Sequence, residues 1–274
     1  YVPVVPPDLR IDEEALAREL ARPHPGGHNL FAYPAQSNFS GVQHPLGWID
    51  QAQKAGWDVL LDAAAFVPTN RLDLSEVHPD FVALSFYKMF GYPTGVGALI
   101  ARRRALAKLH RPWFAGGTIT VASVQADIHT LAAGEAAFED GTLNYAVLPA
   151  VEYGFDLLEQ VGIERIHERV RCLTAWLLPE LGALRHASGA PVVRIYGPET
   201  TDRRGGTVTL NFFDASGHFV DHPIIERRAA EHRISLRTGC FCNPGAGELA
   251  LGLSKGELFH CMREVRSEER RVGK

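Results

Sequence analysis

Cysteine is scarce in this chain. There are four among 274 residues, Cys172, Cys240, Cys242 and Cys261, at uneven spacing. So few in so long a chain do not make a disulfide framework, and a reducing cytosol is the expected compartment. Excess charge is also missing: 28 Lys and Arg face 32 Asp and Glu, a formal net charge of -4. Mixed signs near balance exclude nucleic-acid binding by bulk electrostatics. No uninterrupted apolar run is long enough to cross a bilayer, so no membrane association is expected, and the opening YVPVVPPDLR lacks the pattern of a signal peptide. Internal repeats and low-complexity tracts are absent. What is present is a chain 46% hydrophobic, whose length allows one large domain and a smaller one.

The periodicities alternate along the chain. IDEEALARELARP (11–23) has helical spacing with early acidic residues and ends at Pro23. NLFAY reads as a strand, LGWIDQAQKAG (46–56) as a helix, and VLL and FVALSF as buried strands. This order predicts a mostly parallel, doubly wound α/β sheet. FAGGTIT (114–120) and FEDGTLNY (138–145) read as glycine-rich loops, followed by helices from about Ala146 to Gly162 and from Ile163 to about Leu184. VVRIYGP and GGTVTLNFFD then alternate as half-buried strands, HPIIERRAAEHR reads as a helix, and ISLR as a last strand before RTGCFCNPGAG. The expected division is a large domain over 1–159, a small α+β domain over 160–262 and a tail over 263–274.

Chemistry concentrates at strand ends. Asp62 terminates the VLL run, Ser85 lies near the end of the FVALSF strand, and Lys88 follows at the strand end, in a loop before the turn YPTG. In an open α/β sheet, ligands bind outside the carboxyl ends of strands. A lysine between low-dielectric walls tends toward a nucleophilic neutral amine, whereas an isolated loop lysine snorkels to solvent. Asp62 alone could serve as a helix N-cap before AAAF. Together, a carboxylate and an amine at two such ends suit pyridoxal phosphate, whose pyridinium nitrogen pairs with Asp and whose aldehyde takes Lys.

LLDAAAFVPTN, SFYKMFGYPTG and LRTGCFCNPGA together resemble the class V aminotransferase superfamily of fold-type I pyridoxal phosphate enzymes. Within it they resemble most the cysteine desulfurase domain of molybdenum cofactor sulfurases. The resemblance runs from about His28 to about Cys261. It implies that Lys88 forms the Schiff base, Asp62 holds the ring nitrogen protonated and Cys242 is the nucleophile. It implies too that Arg237 clamps the substrate carboxylate, Asn38 bonds the phenolic oxygen of the cofactor, and Ser85 contacts its phosphate. Thr142 would reach the phosphate of a neighbouring subunit, which makes a homodimer the expected assembly. L-cysteine is the implied substrate, and a sulfur acceptor protein or domain the implied partner, with the molybdenum cofactor as one destination. Two positions depart from related desulfurases: Tyr87 stands where His is common, and Ala65 where Gln is common. Tyr87 is therefore a candidate for acid–base work.

Other readings stay open. Zinc on Cys240, Cys242, His260 and Cys261 is disfavoured, because structural zinc sites use a longer gap between cysteines than C-x-C; no metal is expected. An aminotransferase- or epimerase-like enzyme on the same cofactor would need no thiol. A non-catalytic fragment is the third reading. Both ends of the sequence look cut: the start lacks Met, and the elements that in the resembled family hold the phosphate and stack on the ring are not found here. The run RSEERRVGK (266–274) resembles translated adapter sequence, or else a frayed helix end.

Overall fold

A computed structural model describes residues 1–239 and 241–260. In chain order the elements are β1 (Val4–Val5), β2 (Arg10–Ile11), α1 (Glu13–Leu20), β3 (Leu30–Pro34), α2 (Trp48–Lys54), β4 (Asp58–Asp62), β5 (Phe81–Ser85), α3 (Phe86–Phe90) and β6 (Gly97–Ala101). They continue as α4 (Arg103–Leu106), β7 (Ile119–Ser123), β8 (Ile128–Leu131), α5 (Ala150–Val161), α6 (Ile163–Ala183), β9 (Val193–Tyr196), β10 (Thr209–Phe212), α7 (His222–Glu231) and α8 (Pro244–Leu251).

The chain forms two compact units. One contains Ala17–Gln36 and Pro45–Arg169; the other contains Tyr1–Leu16, Ser37–His44 and the described residues from Val170. The tail expected over 263–274 lies outside the described residues.

The first unit holds a four-stranded sheet in the order β3-β4-β5-β6. β3 and β4 run parallel, β4 and β5 run parallel, and β5 pairs antiparallel with β6. On β4, Val59 and Leu61 alternate into the core, where Val82 of β5 and Ile49 and Ala52 of α2 are also buried. Each such aliphatic side chain contributes about 1.5–3 kcal/mol relative to exposure. One end of the inner strands is fixed by Asp80, which is 1% exposed. Its carboxylate accepts from Val59 N–H (3.0 Å), Gln53 Nε2 (2.9 Å) and Arg104 Nη2 (3.0 Å). Burial works against the charge, but these three donors outweigh it and hold the carboxyl below the usual carboxylate range.

The second unit pairs β9 with β10 antiparallel. Leu9, Phe39 and Tyr196 form a buried cluster there. Arg204 is buried and donates to the carbonyls of Pro198, Thr207, Gly205 (3.2 Å) and Ser40 (3.3 Å). Burial, and then the Arg10 cation, push Arg204 down to about 10, so it stays cationic at neutral pH.

Two local expectations change. FAGGTIT is not only a loop: it leads into a hairpin of β7 and β8. ISLR (234–237) is not a strand. Arg233 adopts φ +60° and Ile234 N–H returns to Ala229 O (2.9 Å), so the chain closes off α7 rather than entering a ladder.

Candidate active site

The sheet carries four of the expected residues at one end of adjacent strands. Asp62 is the last residue of β4, and its register partner on β5 is Ala83. Ser85 ends β5 two residues beyond that partner, and Tyr87 and Lys88 follow within α3. Neighbouring strands lie about 5 Å apart and two residues advance the chain about 7 Å. Asp62 and Ser85 are therefore brought to the same end of the sheet.

Lys88 was expected in a loop with low-dielectric walls. It lies instead on a short helix, and its side chain is exposed. The cause is aromatic. Phe86 and Phe90, four residues apart, stack at 6.2 Å, and both meet Phe155 of α5 edge-on at 5.9 and 5.7 Å. Gly91, at φ +83°, then ends the turn in the left-handed region. Tyr87 is 45% exposed. Asp62 does not cap a helix: turns follow it, and its Oδ1 accepts from Ala64 N–H at 3.0 Å.

Thr142 is exposed in the segment that follows the helical turn Gly134–Phe138. That segment is tied down by Arg111, which is largely buried. It donates to Ala137 O (2.8 Å) and pairs with Asp140 (2.7 Å). Gly141 N–H also bonds Gly116 O at 2.9 Å.

The other unit carries Asn38, Arg237 and Cys242. Asn38 projects from a tight turn in which Ser37 Oγ accepts from Phe39 N–H (3.2 Å) and Ser40 N–H (3.1 Å). Gly41 completes this turn at φ +75°, where a Cβ would lie 2.6 Å from Thr207 O. Cys242 is exposed and reduced. Arg237 Nη2 donates to Cys242 Sγ at 3.4 Å, and the guanidinium lies 5.8 Å from the centre of the Phe241 ring. Both Phe241 and Cys242 sit at positive φ, +53° and +59°, a conformation side-chain-bearing residues seldom adopt. Cys240 and Cys261 lie outside the described residues, so two of the four ligands of the zinc reading do as well.

The donor set fits pyridoxal phosphate in kind. An exposed carboxylate and a hydroxyl stand at the ends of adjacent parallel strands, and an exposed primary amine on the short helix that follows. These are the groups a cationic ring nitrogen, an aldehyde and a phosphate require.

A family model described as aminotransferase class-V matches residues 8–263. The chain belongs to that family. It is 40% identical over 268 residues to a molybdenum cofactor sulfurase of Bos taurus, covering 92% of this chain and 30% of that protein. A molybdenum cofactor sulfurase of Homo sapiens is 40% identical over 267 residues, with the same coverage. The chain thus spans about a third of the length of these relatives. Among solved structures, an apo cysteine desulfurase from Thermococcus onnurineus NA1 superposes with a TM-score of 0.73 at 24% identity. The match covers 92% of this chain and 58% of that one. A cysteine desulfurase from Escherichia coli gives a TM-score of 0.71 at 24% identity, over 92% of this chain and 57% of that one. These likenesses show the fold. The expected fold-type I architecture and family resemblance are thereby borne out. Among the described residues, no helix is long and apolar enough to cross a membrane.

Two contributors were not anticipated. Asn243 caps α8 through Oδ1, which accepts from Ala246 N–H at 3.2 Å. The dipeptide Asn-Pro before an apolar stretch carries that signal. Arg111 has no such mark: nothing local distinguishes an arginine that anchors a loop from one on the surface.

Proposed function

We propose that this chain is the cysteine desulfurase part of a sulfurtransferase that takes sulfur from L-cysteine, with molybdenum cofactor sulfuration as its destination. The single observation that favours a thiol-dependent reaction over other chemistries of the family is the Arg237 guanidinium on exposed Cys242, at 3.4 Å within one loop. Sequence likeness to molybdenum cofactor sulfurases at 40% identity supports the destination.

Pyridoxal phosphate, when bound, supplies an electron sink for bonds broken at the substrate α- and β-carbons. Lys88 is the residue to hold it, Asp62 to keep its ring nitrogen protonated, Asn38 to bond its phenolic oxygen, and Ser85 to meet its phosphate. Arg237 offers a planar fork to the substrate carboxylate. Lys88 is also the base that would move the substrate α-proton, with the adjacent Tyr87 a candidate for further proton transfer. The Cys242 thiolate bonds to the substrate sulfur while the substrate Cβ–S bond breaks. That electron pair returns to the carbon frame, which takes up protons and leaves as alanine. Cys242 is left as a persulfide that passes its sulfur to an acceptor protein or domain.

Thr142 is assigned to the phosphate of a partner subunit, which makes the working assembly a homodimer. The expected compartment is the cytoplasm. The test is alanine release from L-cysteine by the pyridoxal phosphate-loaded protein and its Lys88→Ala and Cys242→Ser variants. Both variants should lose release. Retention in Cys242→Ser would establish the reading without a required thiol.

A further inference from the structure

We infer that Asn243 is a positioning residue: it and Asn38 form a two-point tether that brackets Cys242 and holds its sulfur at Arg237. The inference rests on the reading of Cys242 as the nucleophile.

The tether is visible on both sides of the cysteine. Before it, Phe241 O accepts from Asn38 Nδ2 at 2.7 Å. After it, Asn243 Nδ2 donates to Asn38 Oδ1 at 3.0 Å. One amide side chain therefore grips residues 241 and 243, and Cys242 lies between them. The Phe241 ring adds a contact to Phe39 at 5.8 Å, next to Asn38 on the same turn. The other end of Asn243 is fixed as well, since its Oδ1 caps α8. Asn243 thus couples three things: the first turn of a helix, the cysteine loop and the Asn38 turn.

The backbone shows why a tether is needed. Two successive residues with side chains, Phe241 and Cys242, occupy the left-handed region. Such a conformation persists only where surrounding contacts over-determine it. Without the Asn38 bonds the segment would relax toward ordinary φ values, and the sulfur would leave the guanidinium. Asn38 has capacity for this role beside its assigned one, because its amide nitrogen carries two hydrogens and Phe241 O takes one.

Substitution can separate the two functions of Asn243. In Asn243→Ser the hydroxyl is a good N-cap acceptor, but the side chain is too short to reach Asn38. Asn243→Asp keeps the acceptor and the size and loses the donor. Flipping the Asn38 amide to serve the introduced carboxylate would turn its oxygen toward Phe241 O, so at least one bond of the tether is lost. Asn243→Ala removes cap and tether together.

The experiment uses the pyridoxal phosphate-loaded protein and reads three quantities. These are amide hydrogen exchange over residues 238–243, kcat and KM for L-cysteine, and the melting temperature. Asn243→Ser and Asn243→Asp should keep the melting temperature and hold KM within about twofold. Exchange in the loop should accelerate, and kcat should fall about tenfold or more, as expected for a misplaced reacting atom. If both variants match the wild type in exchange and kcat while Asn243→Ala is impaired, Asn243 is only a helix cap and the inference is overturned. Faster exchange with unchanged kcat also overturns it. If the wild type places no sulfur on Cys242, the nucleophile assignment fails instead, and the exchange measurement still decides whether the tether exists.

Discussion

Gly154 of α5 is buried where its helix meets α3, the element that carries Lys88. A Cβ built at Gly154 would lie 2.3 Å from two ring carbons of Phe90. Ordinary contact needs about 3.5 Å or more, so the ring and its helix must retreat by more than an ångström. Overpacking of this kind costs about 1–3 kcal/mol. Against it, Ala is favoured over Gly inside a helix by about 1 kcal/mol. Gly154→Ala alone should therefore destabilise by up to about 2 kcal/mol. Removing the ring changes the sign: in a Phe90→Ala background the same substitution should stabilise by about 1 kcal/mol. The expected coupling is about 1–3 kcal/mol, readable as a difference of several degrees in melting temperature for a chain of this size. Thermal or urea melts of the four proteins give it directly. If Gly154→Ala has the same effect with and without the Phe90 ring, the close packing of α3 on α5 is refuted.

Other outcomes follow from the buried charges and the assembly. Asp80→Asn removes the partner of Arg104 and should cost about 1.5–3 kcal/mol, the range for hydrogen bonds to charged groups, measured by urea unfolding. Because the folded carboxyl of Asp80 titrates below its unfolded value, the unfolded chain binds more protons between the two. The contribution of Asp80 is then fully present above about pH 4 and lost as pH falls through its depressed folded range. Asp80→Asn should accordingly flatten the acid limb of stability against pH. Arg204→Lys cannot span the carbonyls of Ser40, Pro198, Gly205 and Thr207, and should cost about 3 kcal/mol; a change in urea midpoint too small to resolve would contradict this. If Thr142 serves a partner's site, sedimentation at assay concentration should find a dimer, and a fully active monomer would exclude that role.

The sheet was legible in the sequence because each strand is a short apolar run closed by a turn or a charge. DVLLD and FVALS end at Asp62 and Ser85, as their patterns indicated. The helix beneath Lys88 was not legible. FYKMF is five residues long, too short for periodicity, and its stability comes from Phe155, which is distant in the sequence. The hairpin of β7 and β8 was hidden by the glycines of FAGGTIT, which drew attention to the loop and away from the strands after it. ISLR had strand composition but pairs with no strand among the described residues, and pairing is a property of the whole fold. At the site, residue types and order were readable from motifs. The Asn38 tether was not, since it joins positions more than 200 residues apart.

The most direct measurement is peptide mass mapping of the pyridoxal phosphate-loaded protein after brief exposure to L-cysteine. The peptide bearing Cys242 should gain the mass of one sulfur atom, released by a thiol reductant, with one alanine formed for each sulfur bound. Alanine formed while that peptide stays unmodified, or sulfur found on Cys240 in place of Cys242, would contradict the account.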